Sequence, residues 1–327
     1  MQDAARTVSA PPPAPPPHRP MPAPIAYLML MRPVDWTKNV LVLAALVFSQ
    51  NLLNGPAWIE SILAFMGFCL MASGFYAIND ALDVASDRHH PMKRHRPVAS
   101  GMIPSKHAAI FGLGCIVAGM AIGFSLNVLL GSIFAIYIGL QLVYNMRLKR
   151  VVMVDVVTLS LGFVLRAAAG AAAIAVPLSI WMVLCVFFLC LYLGFAKRLA
   201  DITSAREDGL AGGWQPTARY DRGPELHWLL GVSATLAIMT YLMYTLSPHA
   251  AEQFGGRAIG LALLTPLVVI AIYRFYRRAL LGRSDRPVDA LFEDAGVRMA
   301  TVLFAIGTLA CLYVPQIGRW LDQLFLR

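Results

Sequence analysis

From residue 25 onward, apolar stretches near the length of a bilayer span recur at 39–53, 57–82, 107–125, 127–146, 155–175, 178–196, 227–246, 257–273 and 299–314. A helix needs about 20 apolar residues to cross the hydrocarbon core, where only helices and closed barrels satisfy their own backbone. Runs of this length predict an all-α integral membrane protein of nine transmembrane helices. The first run is the shortest in apolar content, with an alternative start in 25–31 and a bend near Pro33. Composition agrees: 58% of the 327 residues are hydrophobic and only 14% charged, against roughly 25% charged in soluble domains. An ordinary water-soluble enzyme is excluded.

Residues 1–24 are of another kind, holding nine of the 21 prolines. Proline removes the amide donor and blocks helix propagation, so this segment is expected to be an extended or disordered cytoplasmic tail. A polyproline ligand for a partner is the alternative reading. The tail lacks the continuous apolar region of a signal peptide. Residues 25–327 are expected to form the transmembrane domain, and no repeat of 20–50 residues is visible in it. Cys69, Cys115, Cys185, Cys190 and Cys311 all lie in apolar runs without metal spacing, so they read as small buried hydrophobes.

The few charges set the topology. Of 27 Lys and Arg residues, 23 fall in the N-terminal segment and in the turns after the second, fourth, sixth and eighth runs. The opposite turns and the C-terminus hold only Arg257, Arg319 and Arg327, and Arg166 lies inside a run. The positive-inside rule puts the N-terminus and the charged turns in the cytoplasm, as expected for a multi-pass protein of the inner (plasma) membrane. Among 18 acidic residues only Glu60, Glu252 and Asp322 fall on the far side. A transport pathway usually needs ionisable groups at the midplane or on both faces, so this one-sidedness favours an enzyme opening to the cytoplasm. The net charge of +9 then reports an anionic membrane face or anionic substrates rather than nucleic acid.

The sharpest motif closes the second run: Asn79, Asp80, Asp83 and Asp87 in NDALDVASD. Asn79, Asp83 and Asp87 follow at i, i+4 and i+8, on one helical face, and Asp80 to Asp87 is again a two-turn spacing. Three carboxylates at a bilayer boundary need counter-charge, and hard oxygen donors suit Mg²⁺, whose octahedron substrate phosphates and water complete. The bland alternative is a solvated helix end whose acids pair with the basic run that follows. That run, HHPMKRHRP, offers Lys93, Arg94 and Arg96 either as membrane anchors or as ligands of phosphate oxygens. Its three histidines match no zinc spacing.

A second polar cluster contains Tyr144, Asn145, Arg147, Lys149 and Arg150, then Asp155 and Arg166. Asp155, Leu159, Gly162 and Arg166 share a helical face. An intramembrane ion pair between Asp155 and Arg166 and an anion site at Arg166 are both open readings. A third cluster holds Lys197, Arg198 and Asp201. Lys197 and Asp201 at i, i+4 are either an ordinary helix pair or part of a site. The loop near 199–226, with Glu207 and Asp208, is long enough to cover one. Trp36, Lys38 and Asn39 add polar groups at the same level.

Asn79-Asp80-x-x-Asp83-x-x-x-Asp87 at the end of a transmembrane helix resembles the signature of the UbiA prenyltransferase superfamily. Further segments resemble its branch of polyprenyl-phosphate phosphoribosyltransferases: RPVDWTKNVLV from Arg32, KRHRPVASG from Lys93, DVVTLSLGFVLRAAAGAAA from Asp155, FAKRLADI from Phe195 and YRFYRRALLGRSDRPVDALFEDAG from Tyr273. The resemblance spans about residues 28–300. It implies a UbiA-type bundle of nine helices around a cytoplasm-facing cavity. It also implies Mg²⁺-dependent transfer of a 5-phosphoribosyl group from phosphoribosyl pyrophosphate to a polyprenyl (decaprenyl-type) phosphate, releasing diphosphate. On that reading Asp80, Asp83 and Asp87 hold the metal with Asn79 beside them, and Lys93, Arg94 and Arg96 help hold the donor. Lys149, Arg166 and Lys197 are candidates for the acceptor phosphate or the second donor phosphate. Lys38, Asn39, Tyr144, Asp155, Arg198 and Asp201 complete the substrate-binding set. Many prenyltransferases of the superfamily carry a second DxxxD; here Ala205 follows Asp201 at that spacing, and the branch commonly has Glu where Asp201 stands. A prenyltransferase acting on an aromatic or other small acceptor is the alternative enzyme, and a lipid or metabolite transporter the non-enzymatic one. A homo-oligomer is compatible with the sequence.

Overall fold

The computed structural model describes residues 22–90, 92–207, 220, 223–283 and 287–325. Most of the expected tail, and Asp208, lie outside them. Helices joined by turns make up the described residues, with no strand among them. Helix α1 (Ala23–Met31) is followed by a 3₁₀ segment, Pro33–Leu43, and by α2 (Ala44–Phe48), α3 (Gly55–Leu82) and α4 (Val84–His89). Next come α5 (Ser105–Leu126), α6 (Val128–Met146), α7 (Val154–Ala173), α8 (Ile180–Glu207) and α9 (Gly223–Thr245). The remainder is α10 (Pro248–Phe254), α11 (Arg257–Leu263), α12 (Thr265–Leu280), α13 (Pro287–Glu293), α14 (Ala295–Tyr313) and α15 (Pro315–Phe325).

Eight helices among the described residues are long and apolar enough to cross a membrane, with α11 and α12 counted as one span. They coincide with the last eight of the nine expected runs. The first, 39–53, is corrected: it is a 3₁₀ segment, the five-residue α2 and a turn. Arg32 takes the left-handed conformation at the end of α1, Pro33 follows, and Gln50 again has positive φ. With Ser49, Gln50, Asn51 and Asn54 closing the stretch, too few apolar residues remain for a continuous span.

The chain divides into two compact units. The first combines the segment ending at Pro33 with Ala72–Ile116. Its core gathers Ala26, Leu30, Ala77, Val98, Ile103 and Ala108, with Tyr27 and Phe111 packed against them. Among lipid-facing helices close contact rests on small residues rather than on the hydrophobic effect. Gly74 and Gly112 supply that contact between α3 and α5: a Cβ on Gly74 would lie 2.5 Å from the Gly112 carbonyl oxygen.

The second unit comprises Val34–Met71 and the chain from Val117. One core cluster packs Val156, Tyr192, Phe195, Tyr220, Leu226 and Leu230, and another packs Tyr244, Phe254, Leu261 and Leu312. Asn127 caps α6 by accepting from the Leu130 amide at 2.8 Å. Its amide also donates to the Ala172 carbonyl at 3.0 Å, tying the start of α6 to the end of α7. Gly170 admits a closer approach, since a Cβ there would lie 2.0 Å from the Val42 carbonyl oxygen. The 3₁₀ segment therefore lies directly against α7.

Candidate active site

In the first unit, α3 stops at Leu82, and Asp83, at φ −91° and ψ 6°, precedes α4. Backbone bonds from Asp83 N to Asn79 O and from Asp87 N to Asp83 O, both 2.9 Å, carry the helical path almost unbroken through this bend. The face that turns inward is that of Asp80 and Asp87, both buried, whereas Asp83 is exposed. Of the two expected spacings, the two-turn pair Asp80 and Asp87 converges, whereas the stripe of Asn79, Asp83 and Asp87 does not, because Asp83 is exposed. Arg96 NH1 donates to Asp80 Oδ1 at 3.1 Å and to Asp87 Oδ2 at 2.7 Å. Arg32 NH2 reaches Asp80 Oδ1 at 2.5 Å, and Lys93 Nζ lies 4.0 Å from Asp87 Oδ1. The acids therefore do pair with the basic run. Arg94 is exposed, with its Nε directed at His95 Nε2.

No group of three or more His, Cys, Asp or Glu side chains among the described residues is gathered for a metal ion. The donor set nevertheless suits a hard cation, because oxygens of Asp80 and Asp87 converge on one positively charged nitrogen. Mg²⁺ commonly takes only one or two carboxylates, leaving its other positions to phosphate and water.

In the second unit, Asp155 and Arg166 lie eleven residues apart on α7, about 16 Å along a helix at its usual rise. The expected alternative of an ion pair between them is accordingly not formed. Arg166, 8% exposed, donates from Nε to Asn39 Oδ1 at 2.7 Å, from NH1 to the Gly162 carbonyl at 2.8 Å and from NH2 to the Tyr137 hydroxyl at 3.0 Å. Phe68, Tyr137 and Phe163 present their rings 5.0–5.5 Å from its guanidinium carbon. Asn39 is itself fixed, donating to Cys69 Sγ at 3.3 Å. No carboxylate among the described residues pairs with Arg166, so a buried positive charge is held by neutral oxygens and π faces alone. Such a centre is suited to an anion.

Asp155 instead accepts from Arg198 NH2 at 2.9 Å and from the Tyr220 hydroxyl. The Tyr220 oxygen in turn accepts from the amide of Met153 at 2.8 Å, a residue with positive φ just before α7. Burial first, and then the hydrogen bond to Asp155, raise the Tyr220 phenol above its ordinary range, which keeps it a donor. Arg198 also lies 3.8 Å from Asp201. Lys197 and Lys149 are exposed and Tyr144 is half-buried. Lys38 pairs with Asp35 at 2.7 Å.

Arg32, Tyr137 and Tyr220 were not singled out by sequence reasoning. Arg32 opens one of the family-like segments, which was its only signal. The two tyrosines look like ordinary aromatic residues, and only their partners mark them. Near the other end of the chain, Arg274 grips both oxygens of Asp294 and Arg278 pairs with Glu293 at 2.6 Å. These pairs fasten α12 to the 293–294 turn.

A family model described as the UbiA prenyltransferase family matches residues 39–301. The chain belongs to the UbiA prenyltransferase family. A decaprenyl-phosphate phosphoribosyltransferase of Corynebacterium glutamicum is 31% identical, over 87% of this chain and 86% of that protein. One from Mycolicibacterium smegmatis is 32% identical, over 86% and 91%. A UbiA homologue from Archaeoglobus fulgidus, solved with GPP and Mg²⁺ bound, has a TM-score of 0.63 and 19% identity, covering 88% of this chain and all of that one. This last likeness carries the UbiA fold: an all-helical, multi-pass membrane architecture.

Proposed function

We propose that this UbiA-family protein transfers a 5-phosphoribosyl group from phosphoribosyl pyrophosphate to a polyprenyl phosphate of decaprenyl type, releasing diphosphate. The reading rests chiefly on one observation: the described residues form two distinct cationic centres, one built around paired carboxylates and one, at Arg166, with no carboxylate among those residues. A diphosphate carried with a divalent cation suits the first, and a bare phosphate suits the second. The similarity to decaprenyl-phosphate phosphoribosyltransferases over most of the chain supports the same substrate pair.

In this reaction the bond between ribose C1 and the diphosphate oxygen breaks, and a bond forms from C1 to an oxygen of the lipid phosphate. That oxygen is already ionised, so no strong general base is required. Asp80 and Asp87 would hold Mg²⁺, with Asp83 and Asn79 at the rim. A bound Mg²⁺ would neutralise charge that builds on the departing diphosphate. Arg96, Lys93 and Arg94 orient the donor's phosphates, which arginine can grip in bidentate fashion. Arg166, held by Asn39 and Tyr137, binds the acceptor phosphate or the donor's 5-phosphate, and Arg198 with Asp155 and Asp201 frames the same unit. Lys38, Tyr144, Lys149 and Lys197 contribute polar reach. The positive-inside pattern supports a cytoplasmic active site in the inner membrane.

The three aromatic rings around Arg166 favour a second reading, a prenyltransferase with an aromatic acceptor. The two are separated by incubating purified protein with Mg²⁺, phosphoribosyl pyrophosphate and polyprenyl phosphate, and identifying the lipid product by mass. A phosphoribosyl lipid supports the first reading. Consumption of only a prenyl diphosphate and an aromatic acid overturns it.

A further inference from the structure

Arg32 reaches the first cluster from a constrained backbone. It ends α1 at φ 53° and ψ 64°, immediately before Pro33. A residue other than glycine persists there only where its surroundings over-determine it. Those surroundings are visible: Ser73 Oγ donates to the preceding carbonyl of Met31 at 2.9 Å, and Leu30 is fully buried in the core of this unit. The guanidinium so delivered lies 4.7 Å from the centre of the Tyr76 ring and donates to Asp80 Oδ1.

Asp80 Oδ1 thus accepts from two guanidiniums, Arg32 and Arg96, and the same Arg96 nitrogen also binds Asp87 Oδ2. The point where the two carboxylates converge is the point that Arg96 NH1 fills. A divalent cation held by the same two carboxylates would draw on the lone pairs that Arg96 NH1 now occupies. The guanidiniums and a divalent cation therefore compete for the same lone pairs.

We propose that Arg32 and Arg96 are exchangeable counter-ions: a divalent cation displaces them from Asp80 and Asp87, and the freed guanidiniums close on the diphosphate that arrives with it. Arg32 thereby becomes a donor-binding residue delivered by α1. The proposal rests on the diphosphate reading of this site. It has a signature that a purely structural ion pair lacks. A cation binding alone must break pairs without recompense, whereas with diphosphate the arginines gain new partners, so the two ligands bind cooperatively.

The test is Mn²⁺ binding to the purified full chain by electron paramagnetic resonance, with and without inorganic diphosphate, corrected for manganese diphosphate free in solution. Wild-type protein is expected to bind Mn²⁺ more tightly when diphosphate is present. Arg32→Gln should bind Mn²⁺ alone roughly two- to fivefold more tightly, as expected from losing one competing ion pair, and should lose most of the gain from diphosphate. Arg32→Lys, which keeps the charge, should stay near wild type in the absence of diphosphate. Should Arg32→Gln fail to fold, Arg96→Gln makes the same measurement. Unchanged or weaker Mn²⁺ binding in the Gln variant overturns the exchange, while a phosphoribosyl lipid product would leave the proposed reaction standing. No Mn²⁺ binding by wild type under either condition overturns the exchange and the metal reading together.

Discussion

Arg166 donates from Nε to Asn39 Oδ1 at 2.7 Å, joining α7 to a 3₁₀ segment 127 residues earlier in the chain. Both side chains are buried. Removing either leaves the other's hydrogen-bonding groups without water to turn to, a penalty of about 1–3 kcal/mol. The contact exists because Gly170, one turn further along α7, has no side chain to hold the segment away.

Gly170→Ala is accordingly expected to destabilise the protein. The added methyl would press on the Val42 backbone, and overpacking of a tight contact costs about 1–3 kcal/mol. Thermal unfolding in detergent should show the loss, together with reduced activity as Asn39 moves from Arg166.

Arg166→Lys keeps the charge and removes the fork. Lysine cannot reach Asn39, Gly162 and Tyr137 at once, nor stack on the rings in the same way. Turnover is expected to fall by about 100-fold, in the range seen when one preorganised donor is lost. The melting temperature should change less than in Asn39→Ala, which leaves the guanidinium short of an acceptor.

Asp155 binds Arg198 and Tyr220 together, so the effects of changing its partners should not add. Tyr220→Phe is expected to cost about 1 kcal/mol and Asp155→Asn about 1–3 kcal/mol. The double variant should lose less than the two combined, because both single changes break one network. Denaturation of all four proteins measures the coupling.

Asp294 caps α14 through the Val297 amide at 2.9 Å and is gripped by Arg274. Burial by itself would raise its carboxyl, but the Val297 amide and the Arg274 guanidinium outweigh it and hold the group below the usual range. A carboxyl lowered on folding stabilises at pH above its unfolded value of about 3.9, and that stability is lost as pH falls through the folded value. Asn caps a helix about as well as Asp, so Asp294→Asn isolates the charge. The variant should be less stable than wild type by about 0.5–1 kcal/mol near neutrality, and the gap should close as the pH is taken down below about 4. A gap independent of pH would show that the charge contributes nothing.

The eight long helices were legible because apolar runs of bilayer length have few other fates. The first run misled because the polar residues near 50 cut it short, and short apolar segments do not declare their geometry. The acidic motif was legible as a cluster but not in its arrangement. The two-turn spacing of Asp80 and Asp87 was visible, but which of the two acidic faces turns inward is decided by packing, and Asp83 is left exposed. Arg166 stood out as a charge in an apolar run and Asn39 as a polar group near the same level, whereas their pairing, and Tyr137, did not. Asn39 and Tyr137 come from distant segments, and an asparagine or a tyrosine carries no mark of the arginine it will meet. The same holds for Tyr220, which is 65 residues from Asp155.

The most direct measurement is the stoichiometry of the reaction when substrates compete. Purified protein is given Mg²⁺, phosphoribosyl pyrophosphate, polyprenyl phosphate, a prenyl diphosphate and an aromatic acid together, and diphosphate release is followed beside the lipid products. One diphosphate released for each phosphoribosyl lipid formed, with the prenyl diphosphate untouched, is the expected result. Diphosphate released only in step with a prenylated aromatic acid would contradict it.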